Sequence, residues 1–180
     1  KVISIADATL IDAVNVTEGA PDDAIFLVNT SKDPKEVRAK LKAKASQKVY
    51  AVDVGHNQLA WSLRQDPRVI SREKVNAREL TEAIVPEKVD LVVFDVSFIS
   101  LSKVVPSTLS LAKPDGRWIT LIKPQFEVGP ARVGKGGIVT DPDFRLAAIA
   151  GVTQALESLG LERIGLIESP ITGAEGNVEF

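Results

Sequence analysis

The sequence contains no cysteine and no methionine, and His56 is its only histidine. Without cysteine there is neither a disulfide framework nor a thiolate metal site, and a cytoplasmic home is the default expectation. A lone histidine argues against a zinc site or a histidine-based triad. No apolar run approaches the ~18 residues that a membrane span needs. The opening Lys-Val-Ile-Ser-Ile-Ala-Asp-Ala-Thr-Leu lacks the basic and apolar layout of a signal peptide. No membrane partner is expected. Internal repeats and low-complexity tracts are absent as well. A net charge of −2 does not announce a nucleic-acid partner.

What is present suits one globular domain: 180 residues, 44% hydrophobic and 26% charged, enough for one core and too short for two. Positive charge is concentrated between Lys32 and Lys48, where Lys35, Arg38, Lys40, Lys42 and Lys44 face only Asp33 and Glu36. Such a segment reads as a basic helix, either a solvated face or a track for a phosphate backbone. The chain stops at Val178-Glu179-Phe180, inside what reads as a strand, so a fragment is expected.

Short apolar runs alternate with amphipathic stretches, which predicts an α/β domain with a mostly parallel, twisted sheet and helices on both faces. The expected strands are Ala24–Val28, Val49–Val54, Val69–Ser71, Val89–Asp95, Trp118–Ile122 and Ile164–Glu168, with a stub from Asn177. The expected helices are Pro34–Ser46, Gln58–Gln65, Ala77–Ile84, Leu101–Ala112 and Pro142–Leu159. Lys113-Pro114-Asp115-Gly116 reads as a turn between a helix and a strand. The glycine-rich stretch 124–140 reads as a long functional loop. Residues 1–23 receive no assignment, and residues 24–180 are expected to form the domain.

Ligands of doubly wound sheets bind at the carboxyl ends of the strands, near the point where strand order reverses. Three strand ends carry a pointed polar residue. Asp53, in Ala-Val-Asp-Val-Gly, offers paired acceptors for the two hydroxyls of a nucleoside ribose, or else caps a helix. Asp95 closes the apolar run Val92-Val93-Phe94, where a carboxylate is costly unless it caps, pairs or acts. Lys123 follows Leu121-Ile122 and precedes Pro124. Neighbouring strand ends would bring Asp95 and Lys123 within salt-bridge reach, as a structural ion pair or as chemistry.

The strings around these residues are specific. Asp-Val-Ser-Phe-Ile-Ser-Leu holds Asp95, Ile-Lys-Pro-Gln-Phe-Glu-Val-Gly holds Lys123, and Gly-Asn-Val-Glu-Phe holds Glu179. With Tyr-Ala-Val-Asp-Val-Gly before Gln58-Leu59-Ala60-Trp61, the loop Val133–Gly137 and Ser169-Pro170-Ile171, residues 48–180 resemble the TlyA family, relatives of the FtsJ ribose methyltransferases. The resemblance implies a Rossmann-like fold dependent on S-adenosyl-L-methionine and 2′-O-methylation of ribosomal RNA, with that RNA or the ribosomal subunit as partner. It places three members of the family's Lys-Asp-Lys-Glu tetrad at Asp95, Lys123 and Glu179. It assigns Asp53, Asn76 and Asp95 to the cofactor. Lys123 would either take the hydroxyl proton or stabilise the alkoxide as a cation, the latter favoured by flanking carboxylates.

The chain departs from the family in two places. The loop after the first domain strand, Asn29-Thr30-Ser31-Lys32-Asp33-Pro34, has no glycine for close backbone approach to a cofactor. Upstream of that strand only Lys1 is available as the tetrad's first lysine, and no motif surrounds it, so no residue is assigned to that place. The alternative reading is therefore a catalytically silent methyltransferase-fold module that binds RNA or a partner. An NAD enzyme is a further alternative, opposed by the absence of Gly-x-Gly-x-x-Gly. Relatives in this family often carry a hemolysin label, yet no large amphipathic apolar face points to membrane lysis.

Overall fold

The computed structural model describes residues 2–4, 25–30 and 48–180, with side chains from residue 48 onward except that of Ala174. The predicted helix over Pro34–Ser46, the basic segment from Lys32 and most of the glycine-free loop lie outside the described residues. The described strands are β1 (Val2–Ser4), β2 (Ile25–Thr30), β3 (Lys48–Asp53), β4 (Val69–Glu73), β5 (Val89–Asp95), β6 (Ala112–Thr120) and β7 (Arg163–Leu166). They form one sheet in the order β4-β3-β2-β5-β6-β1-β7. Every pair is parallel. The open parallel α/β architecture expected from the alternating pattern is therefore the one observed.

β5 shows why the sequence folds this way. Its run Val-Asp-Leu-Val-Val-Phe-Asp buries Val89, Leu91, Val92, Phe94 and Asp95, positions on both faces of the pleat. A strand covered on both sides needs such a continuous apolar run. Chain order proceeds outward from β2 through β3 to β4, then restarts with β5 on the other side of β2. The switch point thus lies between β2 and β5, where Thr30 is opposite Asp95.

Several boundaries differ from expectation. β1 comes from the segment left unassigned and lies between β6 and β7, with Val2 opposite Trp118. β6 starts at Ala112, so Lys113-Pro114-Asp115-Gly116 is an irregularity within a strand instead of a turn before it. Val89 pairs with Ala112, whereas Leu91 already pairs with Arg117. Lys113 pairs its ammonium with Asp90 at 2.7 Å across the distortion. The stub expected from Asn177 is not a strand; Phe180 exchanges backbone hydrogen bonds with Ile122, two residues past the end of β6.

The helices are shorter than expected, apart from the last. α1 is Trp61–Arg64, one turn of the predicted Gln58–Gln65. The predicted Ala77–Ile84 contracts to a 3₁₀ turn at Ala77–Glu79, after which Leu80 is extended. The predicted Leu101–Ala112 divides into α2 (Leu101–Val104) and a 3₁₀ turn at Val105–Thr108. Pro106 is the reason, since it donates no backbone hydrogen bond and fits only a first turn. α3 (Pro124–Glu127) lies in the stretch read as a loop. α4 (Pro142–Ser158) is close to prediction: Asp141 caps it by accepting from Asp143 N at 2.8 Å, and Gly160 at φ 82° turns the chain away.

One core unites these pieces, with Tyr50, Phe94, Leu101, Trp118, Val152 and Leu156 in the same buried cluster. Trp118 Nε1 donates to Thr108 Oγ1 at 3.0 Å, and that hydroxyl donates to Val105 O at 2.7 Å, so the buried polar atoms of this contact are satisfied.

The distortion in β6 requires Gly116, because a Cβ there would stand 2.9 Å from Lys113 O and 3.1 Å from Ala112 Cβ. Gly116→Ala is expected to destabilise the chain by about 1–3 kcal/mol, as overpacking against backbone does. Urea unfolding at constant m-value measures it.

Candidate active site

Asp95 ends β5 and Lys123 stands three residues past β6. Leu121 N donates to Phe94 O at 2.9 Å, so the chain stays in register to the rim of the sheet. There Lys123 Nζ meets Asp95 Oδ1 at 2.6 Å and donates to Ser97 Oγ at 3.1 Å. Both partners are buried, Lys123 at 6% and Asp95 at 8% exposure. Pro124 occupies the first position of α3 and holds Lys123 extended at φ −107°. The expected proximity of Asp95 and Lys123 is therefore real.

Glu179 is brought toward Lys123 by a different route. Phe180 and Ile122 exchange both backbone hydrogen bonds, at 3.0 and 2.6 Å, as a hydrogen-bonded antiparallel pair does. The next pair in that register is Glu179 with Lys123, a position at which side chains on one face come closest. Glu179 is 3% exposed. Its Oε1 accepts from Gln125 Nε2 at 3.4 Å, and its backbone oxygen accepts from Ser169 N at 2.9 Å. Gly173 lies so close that a Cβ on it would collide with the Glu179 carboxylate.

Asn177 ties this segment to the loop after α3, a role the sequence reading missed. Its Oδ1 accepts from Val139 N at 3.0 Å, its Nδ2 donates to Gly137 O at 2.9 Å, and its backbone oxygen accepts from Gly173 N at 2.7 Å. The only signal in the sequence was an asparagine two places before Glu179, on the same side of an extended segment.

A second cluster forms at the ends of β3 and β4. Asp53 Oδ1 accepts from Gly55 N at 2.6 Å and so closes a tight turn; the next helix begins only at Trp61, so the helix cap considered from sequence is not formed by Asp53. A carboxylate keeps further acceptor positions after one such bond. Asn76 Oδ1 accepts from Arg78 N at 3.1 Å, leaving its NH₂ group outside the cap. Glu73, unassigned from sequence, organises the loop between them. It accepts from Asn57 N at 3.0 Å, binds Arg64, and lies 3.2 Å from His56 Nδ1. The Asn57 amide, ahead of the Arg64 guanidinium, holds its carboxyl below the usual range.

Glu127 behaves oppositely. It accepts from Ser100 Oγ at 2.6 Å and from Leu101 N at 2.9 Å, joining α3 to the start of α2. Burial outweighs both bonds and pushes its carboxyl above the usual range. Among the described residues no group of three or more histidines and carboxylates could hold a metal ion, and no helix is long and apolar enough to cross a membrane.

The FtsJ-like methyltransferase family model matches residues 36–180. The chain belongs to that family. It is 48% identical over 132 residues to the 16S/23S rRNA (cytidine-2′-O)-methyltransferase TlyA of Mycobacterium tuberculosis, covering 73% of this chain and 49% of the relative. It is 37% identical over 179 residues to a Bacillus subtilis protein named as an rRNA methyltransferase, YqxC, covering 99% of this chain and 58% of that one. A solved structure from Streptococcus thermophilus, described as a hemolysin, superposes with a TM-score of 0.86 at 34% identity, over 96% of this chain and 62% of that chain. The chain thus spans about half the length of the curated relatives it matches. FtsJ-like methyltransferases are S-adenosylmethionine-dependent in general. The described residues fit that cofactor's adenosine: the Asp53 carboxylate has acceptors for ribose hydroxyls, and the Asn76 amide a donor for a ring nitrogen.

The raised Glu127 carboxyl gives a pH-dependent test. Its folded value lies above the unfolded value of 4.5, so its stabilising contribution is complete below that pH and is lost as pH rises through the folded value. Glu127→Gln is expected to remove that decline and to be more stable than the parent chain at pH 7, as thermal melts from pH 4 to pH 8 will show. Equal pH dependence in both proteins would contradict the assignment.

Proposed function

We propose that residues 24–180 are the catalytic domain of an S-adenosylmethionine-dependent enzyme that methylates a ribose 2′-hydroxyl of ribosomal RNA. The observation that carries this reading is the buried Lys123–Asp95 pair at 2.6 Å with Glu179 in register beside it. The rRNA ribose methyltransferases among its relatives support the substrate class. The cofactor, when bound, supplies an electrophilic methyl carbon on sulfur. Asp53 holds the ribose hydroxyls of its adenosine and Asn76 the adenine, while Asp95, at the switch point, faces both cofactor and nucleophile.

A ribose hydroxyl is a weak nucleophile, so the site must align it and stabilise the oxyanion that develops. Alignment of reacting groups contributes on the order of 7–11 kcal/mol. Lys123 is the group that meets the hydroxyl. Asp95 and Ser97 fix its ammonium from one side and Glu179 approaches it from the segment paired at Ile122–Phe180, which suits a cation stabilising a developing alkoxide. The silent-module reading is less favoured: three charged groups buried together are costly without a task.

Calorimetric titration with S-adenosylmethionine tests the cofactor assignment: binding in the micromolar range, weakened by Asp53→Ala, is expected. Lys123→Ala is expected to abolish methyl transfer to ribosomal RNA while cofactor affinity is retained. Undiminished turnover in that variant would remove Lys123 from the mechanism. Gly173→Ala, which displaces the Glu179 carboxylate, is expected to lower kcat roughly 10²-fold, as misplacement of a reacting group by an ångström does. Single-turnover methylation reads it, and cofactor binding stays unchanged.

A further inference from the structure

The string around Lys123 carries a residue to which neither the fold nor the ion pair gives a task. Gln125 stands on the first turn of α3, two residues past Lys123. Its carboxamide is used at one end only. Nε2 donates to Glu179 Oε1 at 3.4 Å, a long hydrogen bond, whereas Oε1 is buried and meets no donor among the described residues. A buried amide oxygen without a partner is costly, and native structures keep few of them. A place that needed only filling would be filled better by leucine or methionine, which bury no polar atom.

The ionisation of Glu179 explains which end of the amide faces it. A carboxamide turned by half a rotation would set Oε1 against the Glu179 oxygens and leave both N–H donors in the buried place. That turn becomes favourable only for a protonated carboxyl, whose O–H would supply the donor that Oε1 lacks. The observed arrangement is therefore the one that suits the carboxylate. Glu179 needs such a hold more than its neighbours do. Lys123 is already pinned by Asp95 at 2.6 Å and by Ser97 at 3.1 Å. Glu179, 3% exposed, has a long flexible side chain on a segment fixed by the Ile122–Phe180 backbone exchange. Gly173 bounds its carboxylate, since a Cβ there would collide with it, and Gln125 Nε2 supplies it with a donor.

We infer that Gln125 is a positioning residue for methyl transfer, whose amide N–H keeps Glu179 ionised and in one orientation in register with Lys123. It rests on the enzymatic reading above and adds to it a residue outside the Lys-Asp-Lys-Glu set. The orphaned Oε1 is what the molecule gives up for this hold, as buried polar groups at working sites often do. An in-line displacement tolerates little error in the groups around the nucleophile, so a carboxylate free to rotate would spoil the alignment. Gln125 acts through Glu179 and has no contact of its own with the reacting atoms.

Gln125→Met decides it, because methionine keeps the length and bulk of the side chain and removes both ends of the amide. Thermal melts of Gln125→Met are expected at or above those of the parent chain, since the orphaned oxygen leaves with the amide. Single-turnover methylation of ribosomal RNA is expected to slow roughly 10²-fold, as misplacement of a reacting group does. Affinities for RNA and for S-adenosylmethionine should be unchanged. A residue that acts through another adds nothing once that other is altered, so Gln125→Met should slow Glu179→Gln no further. A melt clearly below the parent's would make the amide a structural bond and overturn the inference. So would a loss confined to RNA or cofactor affinity, or the full loss repeated in the Glu179→Gln background. If the parent chain methylates RNA and Gln125→Met does so equally fast, Gln125 has no such role and the enzymatic reading stands. A folded parent chain that transfers no methyl group defeats that reading and the inference with it.

Discussion

The buried ion pair between Lys123 and Asp95 is the constraint on which the site depends. Removing an ammonium and a carboxylate from water costs several kcal/mol per ion, and their attraction offsets this only when geometry is good and remaining hydrogen-bonding capacity is met. The sheet supplies the geometry. β5 and β6 are adjacent parallel strands, and Leu121 N bonded to Phe94 O keeps them in register up to the rim. Ser97 accepts from the ammonium, Pro124 stiffens the chain after it, and the Ile122–Phe180 exchange brings Glu179 alongside. Each neighbour of the pair has a positional task that an isolated surface salt bridge would not require.

Carboxylates of the same chemical kind take different parts because their surroundings differ. Glu73 receives a backbone N–H and the Arg64 guanidinium, and its charge is stabilised. Glu127 receives two hydrogen bonds but sits where desolvation dominates, and its charge is penalised. The first suits a permanent anchor for the loop beside Asp53. The second acts as a brace whose value lies in its two acceptor oxygens and not in its charge.

Segments distant in sequence meet at the carboxyl edge through a few backbone-directed contacts. Asn177 fastens the loop after α3 to the turn that carries Glu179, through an amide that both donates and accepts. Glu127 fastens α3 to α2. Both use side chains to satisfy main-chain groups in short or irregular segments that lack partners of their own. This is how a rim composed of one-turn helices and 3₁₀ turns is tied together around the Lys123–Asp95 pair.

Six of the seven strands, all but β1, were legible in outline from the sequence alone, since a parallel sheet buried on both faces demands continuous apolar runs. Val89–Asp95 was bounded correctly for that reason, and α4 because Asp141, Pro142 and Gly160 mark its ends locally. The strings around Asp95, Lys123 and Glu179 pointed to the family that the comparisons establish. Only the tertiary structure decided the rest. Short helices such as Ala77–Glu79 have too few turns for a 3.6-residue period to declare itself, and their ends depend on packing. The Gly116 irregularity reads locally as a turn and becomes part of β6 through pairing with β5. The roles of Glu73, Asn177 and Glu127 rest on partners 16, 38 and 26 residues away, and no local pattern encodes a hydrogen bond across that distance.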